Sequence, residues 1–128
     1  MDKVTFDTTE LDAWADHLVK HNSIVRNETT AILRRAGRAA VRDSKKWVNT
    51  SGRYTKHYRR AITMTEMPGG LAVEYGPEIG YKQSFLGKIL ELGTVNNPPH
   101  PHMIPAGETQ APIIEGAVAR AVLRALKG

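Results

Sequence analysis

The order of periodic segments along the chain predicts an α+β fold: N-terminal helices including one long helix, a small antiparallel sheet with a hairpin, a short helix, a Pro-rich extended segment and a C-terminal helix. Three observations carry this expectation. Apolar residues recur at helical spacing from Val25 to Trp47; two runs of period two flank Pro68-Gly69-Gly70; and four prolines fall between Thr94 and Gly107.

Taken in order, residues 3–7 (KVTFD) alternate polar and apolar and read as a short strand. Asp7 and Glu10 stand at capping-box spacing, so a helix is expected from near Thr8, with Leu11, Trp14, Ala15 and Leu18 on one face. His21-Asn22-Ser23 favours caps over helix interiors and should break it. A longer helix then carries Val25, Thr29, Ile32, Leu33, Ala36, Ala40 and Trp47 along one stripe. Its small residues Ala36, Gly37, Ala39 and Ala40 allow a second backbone to approach, from the chain's own sheet or from a neighbouring subunit.

Residues 61–67 (AITMTEM) and 71–75 (LAVEY) alternate around the Pro-Gly-Gly turn, and Gly76-Pro77 is expected to stop the second strand. A short helix over 81–92 would present Phe85, Ile89 and Leu92 on one face and end at Gly93. The prolines that follow favour an extended, polyproline-like arm reaching Pro105-Ala106. Thr109 is expected to cap a final helix, with Pro112 in its first turn and Ile114, Val118, Ala121 and Ala125 buried.

At 128 residues the chain is the size of one domain, and 1–128 is read as such. Its 41% hydrophobic and 24% charged residues are those of a soluble globular chain, and its N-terminus shows no secretory signal. Cysteine is absent, which removes disulfides, thiolate metal sites and Cys nucleophiles together. Eighteen Lys and Arg against thirteen Asp and Glu leave a net charge of +5, which favours nucleic acid or an acidic protein face as a partner wherever that charge is concentrated.

It is concentrated in two places. Arg34, Arg38, Arg42 and Lys45 recur at three or four, opposite the apolar stripe of the long helix, as a basic ridge that could face DNA phosphate or an acidic neighbour, or remain solvated helix surface. Residues 53–60 (RYTKHYRR) interleave aromatics with charge, as single-strand platforms do, although Tyr54 and Tyr58 beside a strand also suit core or interface anchors. The alternative function is therefore a small basic nucleic-acid-binding protein.

Catalytic patterns are thin. His100 and His102 with Glu91 offer metal-ligand types, but alternate residues on an extended segment face opposite ways, so packing or interface roles fit them better. His17 and His21 are four apart without the Glu of the zinc-protease helix motif. No cofactor and no catalytic residue is expected, and the chain is read as a non-enzyme.

Two motifs resemble a known family, the small neck and tail-completion proteins of long-tailed bacteriophages, of the lambdoid head-to-tail joining type. The first is Thr50-Ser51-Gly52-Arg53-Tyr54 followed by Tyr58-Arg59-Arg60-Ala61-Ile62, with Ser51 in place of the usual Thr. The second is Leu90-Glu91-Leu92-Gly93-Thr94 followed by Pro99-His100-Pro101-His102-Met103-Ile104-Pro105-Ala106, with Leu92 in a slot usually aromatic and His102 where Phe is common. With the flanking helices the likeness covers most of the chain.

The resemblance implies a structural virion protein with assembly residues at Gly52, Tyr54, Glu91, Gly93, Thr94, Pro99, His100, Pro101, Pro105 and Ala106. It would form a homo-oligomeric ring, hexamer or dodecamer, at the head-to-tail neck, joining the portal or connector to the tail tube and letting DNA pass. Its partners would be itself, the adjacent connector, head-completion and tail proteins, and non-specifically the genomic double-stranded DNA. It would be assembled in the host cytoplasm and make no use of a membrane. From the residues themselves, Glu91 beside Thr94 is expected to anchor its corner by accepting backbone N–H bonds.

Overall fold

The computed structural model describes residues 3–8, 11, 13–48, 55–78, 86–95 and 98–127. Within them the fold is α+β: β1 (Val4–Phe6), α1 (Ala13–His21), α2 (Ser23–Trp47), α3 (Thr55–Ala61), β2 (Ile62–Glu66), β3 (Val73–Pro77), α4 (Leu86–Leu92) and α5 (Met103–Lys127). Gly52, Tyr54, Glu10 and Phe85, and with them the first half of the first family motif, residues 50–54, lie outside the described residues.

The break between the first two helices falls where the sequence places it. Asn22 is the N-cap of α2, its side chain accepting from the N–H of Ile24 at 3.0 Å and of Val25 at 3.1 Å, a cap of about 1 kcal/mol. The stripe of α2 is buried at Val25, Thr29, Ile32, Leu33, Ala36 and Ala40, but Trp47 is 41% exposed and the last turn instead buries Ser44 and Val48. Periodicity sets which way a helix face points. How far the opposing elements extend along it is a tertiary matter.

The three strands are antiparallel in the order β1-β3-β2. The hairpin is present with its second strand displaced: β3 runs through Gly76 and Pro77, with Ile62 opposite Pro77 and Glu66 opposite Val73. Pro77 is tolerated because β1 pairs only with Val73, Glu74 and Tyr75, so the missing N–H falls beyond that ladder. Ala61 closes α3 and does not belong to the strand. At the start of the chain, the described part of α1 begins at Ala13, past the predicted Thr8.

One face of α2 packs on β2 and β3 while α5 lies along it and α1 leans on both helices. The small-residue stretch serves the chain's own sheet: a Cβ on Gly37 would sit 2.9 Å from Met64 Cγ and 3.4 Å from Val73 Cγ2. The main core joins Leu33 and Ala36 of α2, Val73 and Tyr75 of β3, and Met103, Ile114, Val118 and Val122 of α5. A smaller one groups Val48, Tyr58 and Ile62. Each large apolar side chain closed to solvent in this way contributes roughly 1.5–3 kcal/mol.

The C-terminal third departs most from expectation. α5 starts at Met103, so Pro105 and Ala106 lie in its first turn and the extended segment is limited to the stretch before it. Thr109 is not a cap but a helical residue whose hydroxyl donates to Pro105 O at 3.0 Å. Pro112 sits well inside the helix, beyond its first turn. Proline blocks helix continuation mainly by lacking an N–H, and in a first turn that N–H has no partner to lose, so Pro105 starts a helix as readily as it would stop one.

Candidate functional site: the Glu91 corner

α4 is a short helix whose apolar residues are divided unexpectedly. Gly87 and Glu91 point inward, while Ile89 and Leu92, predicted to share its buried face, are 38% and 54% exposed. Gly93 ends it at φ 75°, a left-handed conformation that suits glycine, and its N–H donates to Ile89 O at 2.8 Å. The neighbouring carbonyl, Leu90 O, accepts the N–H of His100 at 2.6 Å, which folds the Pro-rich segment back on the helix end.

This return brings Glu91 under the first turn of α5. One carboxylate oxygen, Oε1, accepts the N–H of His102 at 3.1 Å and of Met103 at 2.8 Å, and Oε2 accepts that of Ile104 at 3.2 Å. The next residue, Pro105, has no N–H to satisfy. A helix start leaves its first N–H groups without intrahelical partners and carries partial positive charge, so one anionic side chain, only 3% exposed, meets both needs. The predicted role of Glu91 as a backbone acceptor is met, with the difference that its donors come from residues 102–104.

His102 completes the knot. It is 0% exposed, with Nδ1 at 3.1 Å from His100 O and 3.2 Å from Glu91 Oε1, and Nε2 at 2.5 Å from the Tyr58 hydroxyl. Burial holds its pKa below the ordinary histidine value, against the opposing pull of His100 O and the Glu91 charge. The neutral ring is therefore read with the proton on Nδ1, donating toward His100 O, while Nε2 accepts from Tyr58. Burial and then the Glu91 charge raise the pKa of Tyr58, and the same two causes in the same order raise that of Tyr75. Tyr75 donates to Met103 O at 2.6 Å.

The sequence-derived residues thus separate into groups. Glu91, Gly93, Pro105 and Ala106 meet at the α4–α5 junction; Pro99, His100 and Pro101 form its exposed strap, and Thr94 sits in the exposed turn after Gly93. Both ring nitrogens of His102 have protein partners, and among the described residues no group of three His, Asp or Glu side chains is placed to hold a metal. Tyr58, which the sequence offered as an anchor, is a central member; its link to His102 spans 44 residues and leaves no local signal.

The basic ridge lies on the outward side of α2, and its charge is partly answered. Arg34 is ion-paired with Glu66 and Arg42 Nε lies 3.2 Å from Asp43, whereas the Lys45 backbone carbonyl accepts from Arg59 Nε at 2.9 Å, which adds a further cation beside the ridge. Arg38 is exposed. His17 and His21 do share a helix face, with ring centroids 4.5 Å apart. Among the described residues no helix is long and apolar enough to cross a membrane. No protein-family model, curated protein or solved structure matches the chain.

Proposed function

We propose that this protein is a structural subunit of a tailed bacteriophage, forming a ring at the head-to-tail neck that joins the portal or connector to the tail tube and leaves a passage for DNA. The observation that carries this reading is the Glu91 bridge. The two halves of the motif, Leu90 to Thr94 and Pro99 to Ala106, are one physical unit, because the carboxylate of the first half caps the helix that begins in the second. Conserving geometry in this way, with both polar side chains closed to solvent, suits a part whose task is shape and not turnover. In this reading the partners are further copies of the chain and the adjacent neck and tail proteins, and the ridge at Arg34, Arg38, Arg42 and Lys45 is a partner-facing or DNA-facing surface. Immunogold labelling of intact particles tests it. Label at the neck is expected; label absent from particles while the protein accumulates in infected cells would overturn the reading.

A further inference from the structure

We propose that the groove running along α5 from β1 to α1 receives a second copy of this chain, which enters it with the Ile89, Leu92 and Val95 surface of its α4 corner. The inference rests on the self-association in the reading above and not on residence in a virion.

The groove consists of two adjoining cavities of about 290 and 360 Å³ that share Leu11, Glu115 and Val118. Beside β1 its lining mixes Thr5, Asp7, Thr8 and Thr29 with apolar residues, and beside α1 it is mainly apolar, with Trp14 and Leu123 54% and 50% exposed. Its charge is opposite to that of the chain. Asp7 and Glu115 line it, and no Lys, Arg or His is among its lining residues, although the chain as a whole carries +5. Deep in the groove the Thr29 hydroxyl is closed to solvent and has no partner among the described residues. An apolar floor with acidic edges calls for an apolar face with a basic edge.

The α4 corner has that face. Ile89 and Leu92 point outward from a helix whose other side already packs into its own subunit, Val95 beyond them is fully exposed, and Lys88 stands exposed beside them. The corner cannot reach the groove of its own subunit. It is tied to α5 at Met103, whereas the groove follows α5 from Ala111 to Leu123, roughly 12 to 30 Å further on at 1.5 Å per helical residue. Two different faces therefore meet, a heterologous contact that repeats around a ring or along an open filament.

The test uses two exposed substitutions, Leu123→Glu in the groove and Leu92→Glu at the corner, with Val95→Glu as a second corner variant should Leu92→Glu unfold. Molar mass is measured by light scattering on the full chain, with unfolding curves confirming that each variant folds. Wild type is expected to form oligomers, each variant alone to remain a 14.1 kDa monomer, and an equimolar mixture to stop at the dimer, because each pair retains one intact groove and one intact corner. Wild type that stays monomeric, as it would if the groove takes another protein, overturns the proposal. So does either variant alone assembling as wild type does, or a mixture that remains monomeric.

Discussion

Glu91 Oε1 lies 2.8 Å from the amide nitrogen of Met103, and through this bond a helix of seven residues supplies the cap of one of twenty-five. The consequence is that α5 begins where Glu91 is, and the motif halves on either side are held at a fixed angle.

Replacing Glu91 with Ala would leave three backbone donors near the start of α5 without an acceptor. At roughly 1–3 kcal/mol for each unsatisfied buried group, partly relieved by water, the loss is expected to be about 3 kcal/mol or more in urea unfolding. Glu91→Gln keeps one acceptor oxygen and loses the charge at the helix start, so it should fall between wild type and Glu91→Ala.

His102 makes stability depend on pH. Its folded pKa lies below the unfolded value of 6.5, so below that value the unfolded chain takes up the proton first. Unfolding free energy is therefore expected to fall as pH drops from 7 through the window below 6.5, at no more than about 1.4 kcal/mol per pH unit for one group. A His102→Gln chain should show a flatter profile over the same window, measured by thermal unfolding at matched ionic strength.

Tyr58 and Tyr75 work in the other direction. With both folded pKa values raised above 10.0, the unfolded chain ionises first as pH climbs past that point, so stability declines there. An ultraviolet titration should show these two phenols ionising together with loss of far-ultraviolet ellipticity, and Tyr58→Phe should cost roughly 1–2 kcal/mol by leaving His102 Nε2 unpartnered.

Much of this was legible in the sequence wherever the cause is local. Asn22 breaks two helices by capping the second, Gly93 ends a helix by adopting positive φ, and the stripe from Val25 to Ala40 is buried as its spacing requires. The departures share a cause. By sequence Pro105 reads as the end of an extended arm, yet its missing N–H is neutral at a helix start and costly elsewhere, and only the carboxylate of Glu91, fourteen positions earlier, decides which applies. The burial of Glu91 in place of Ile89 and Leu92 likewise depends on α4 packing Gly87 against Tyr58 and Pro77 and on the backbone donors of residues 102–104, which no spacing within 86–92 records.

Pro112 is a local weakness of α5. It removes a helical N–H from the interior of α5 and is itself exposed. Pro112→Ala is expected to raise unfolding free energy by about 1–2 kcal/mol, the helical gain of up to ~3 kcal/mol being reduced by the freer unfolded chain. Urea unfolding of the variant beside wild type provides the measurement.

The central claim, a ring-forming structural subunit built around the Glu91 corner, is tested most directly by electron microscopy and native mass measurement of the purified wild-type chain beside Glu91→Ala. Wild type should form closed rings with a sixfold or twelvefold multiple of 14.1 kDa, and Glu91→Ala should lose them under conditions where most of it remains folded. A wild-type chain that stays monomeric at every concentration, or Glu91→Ala rings indistinguishable from wild type, would contradict the account.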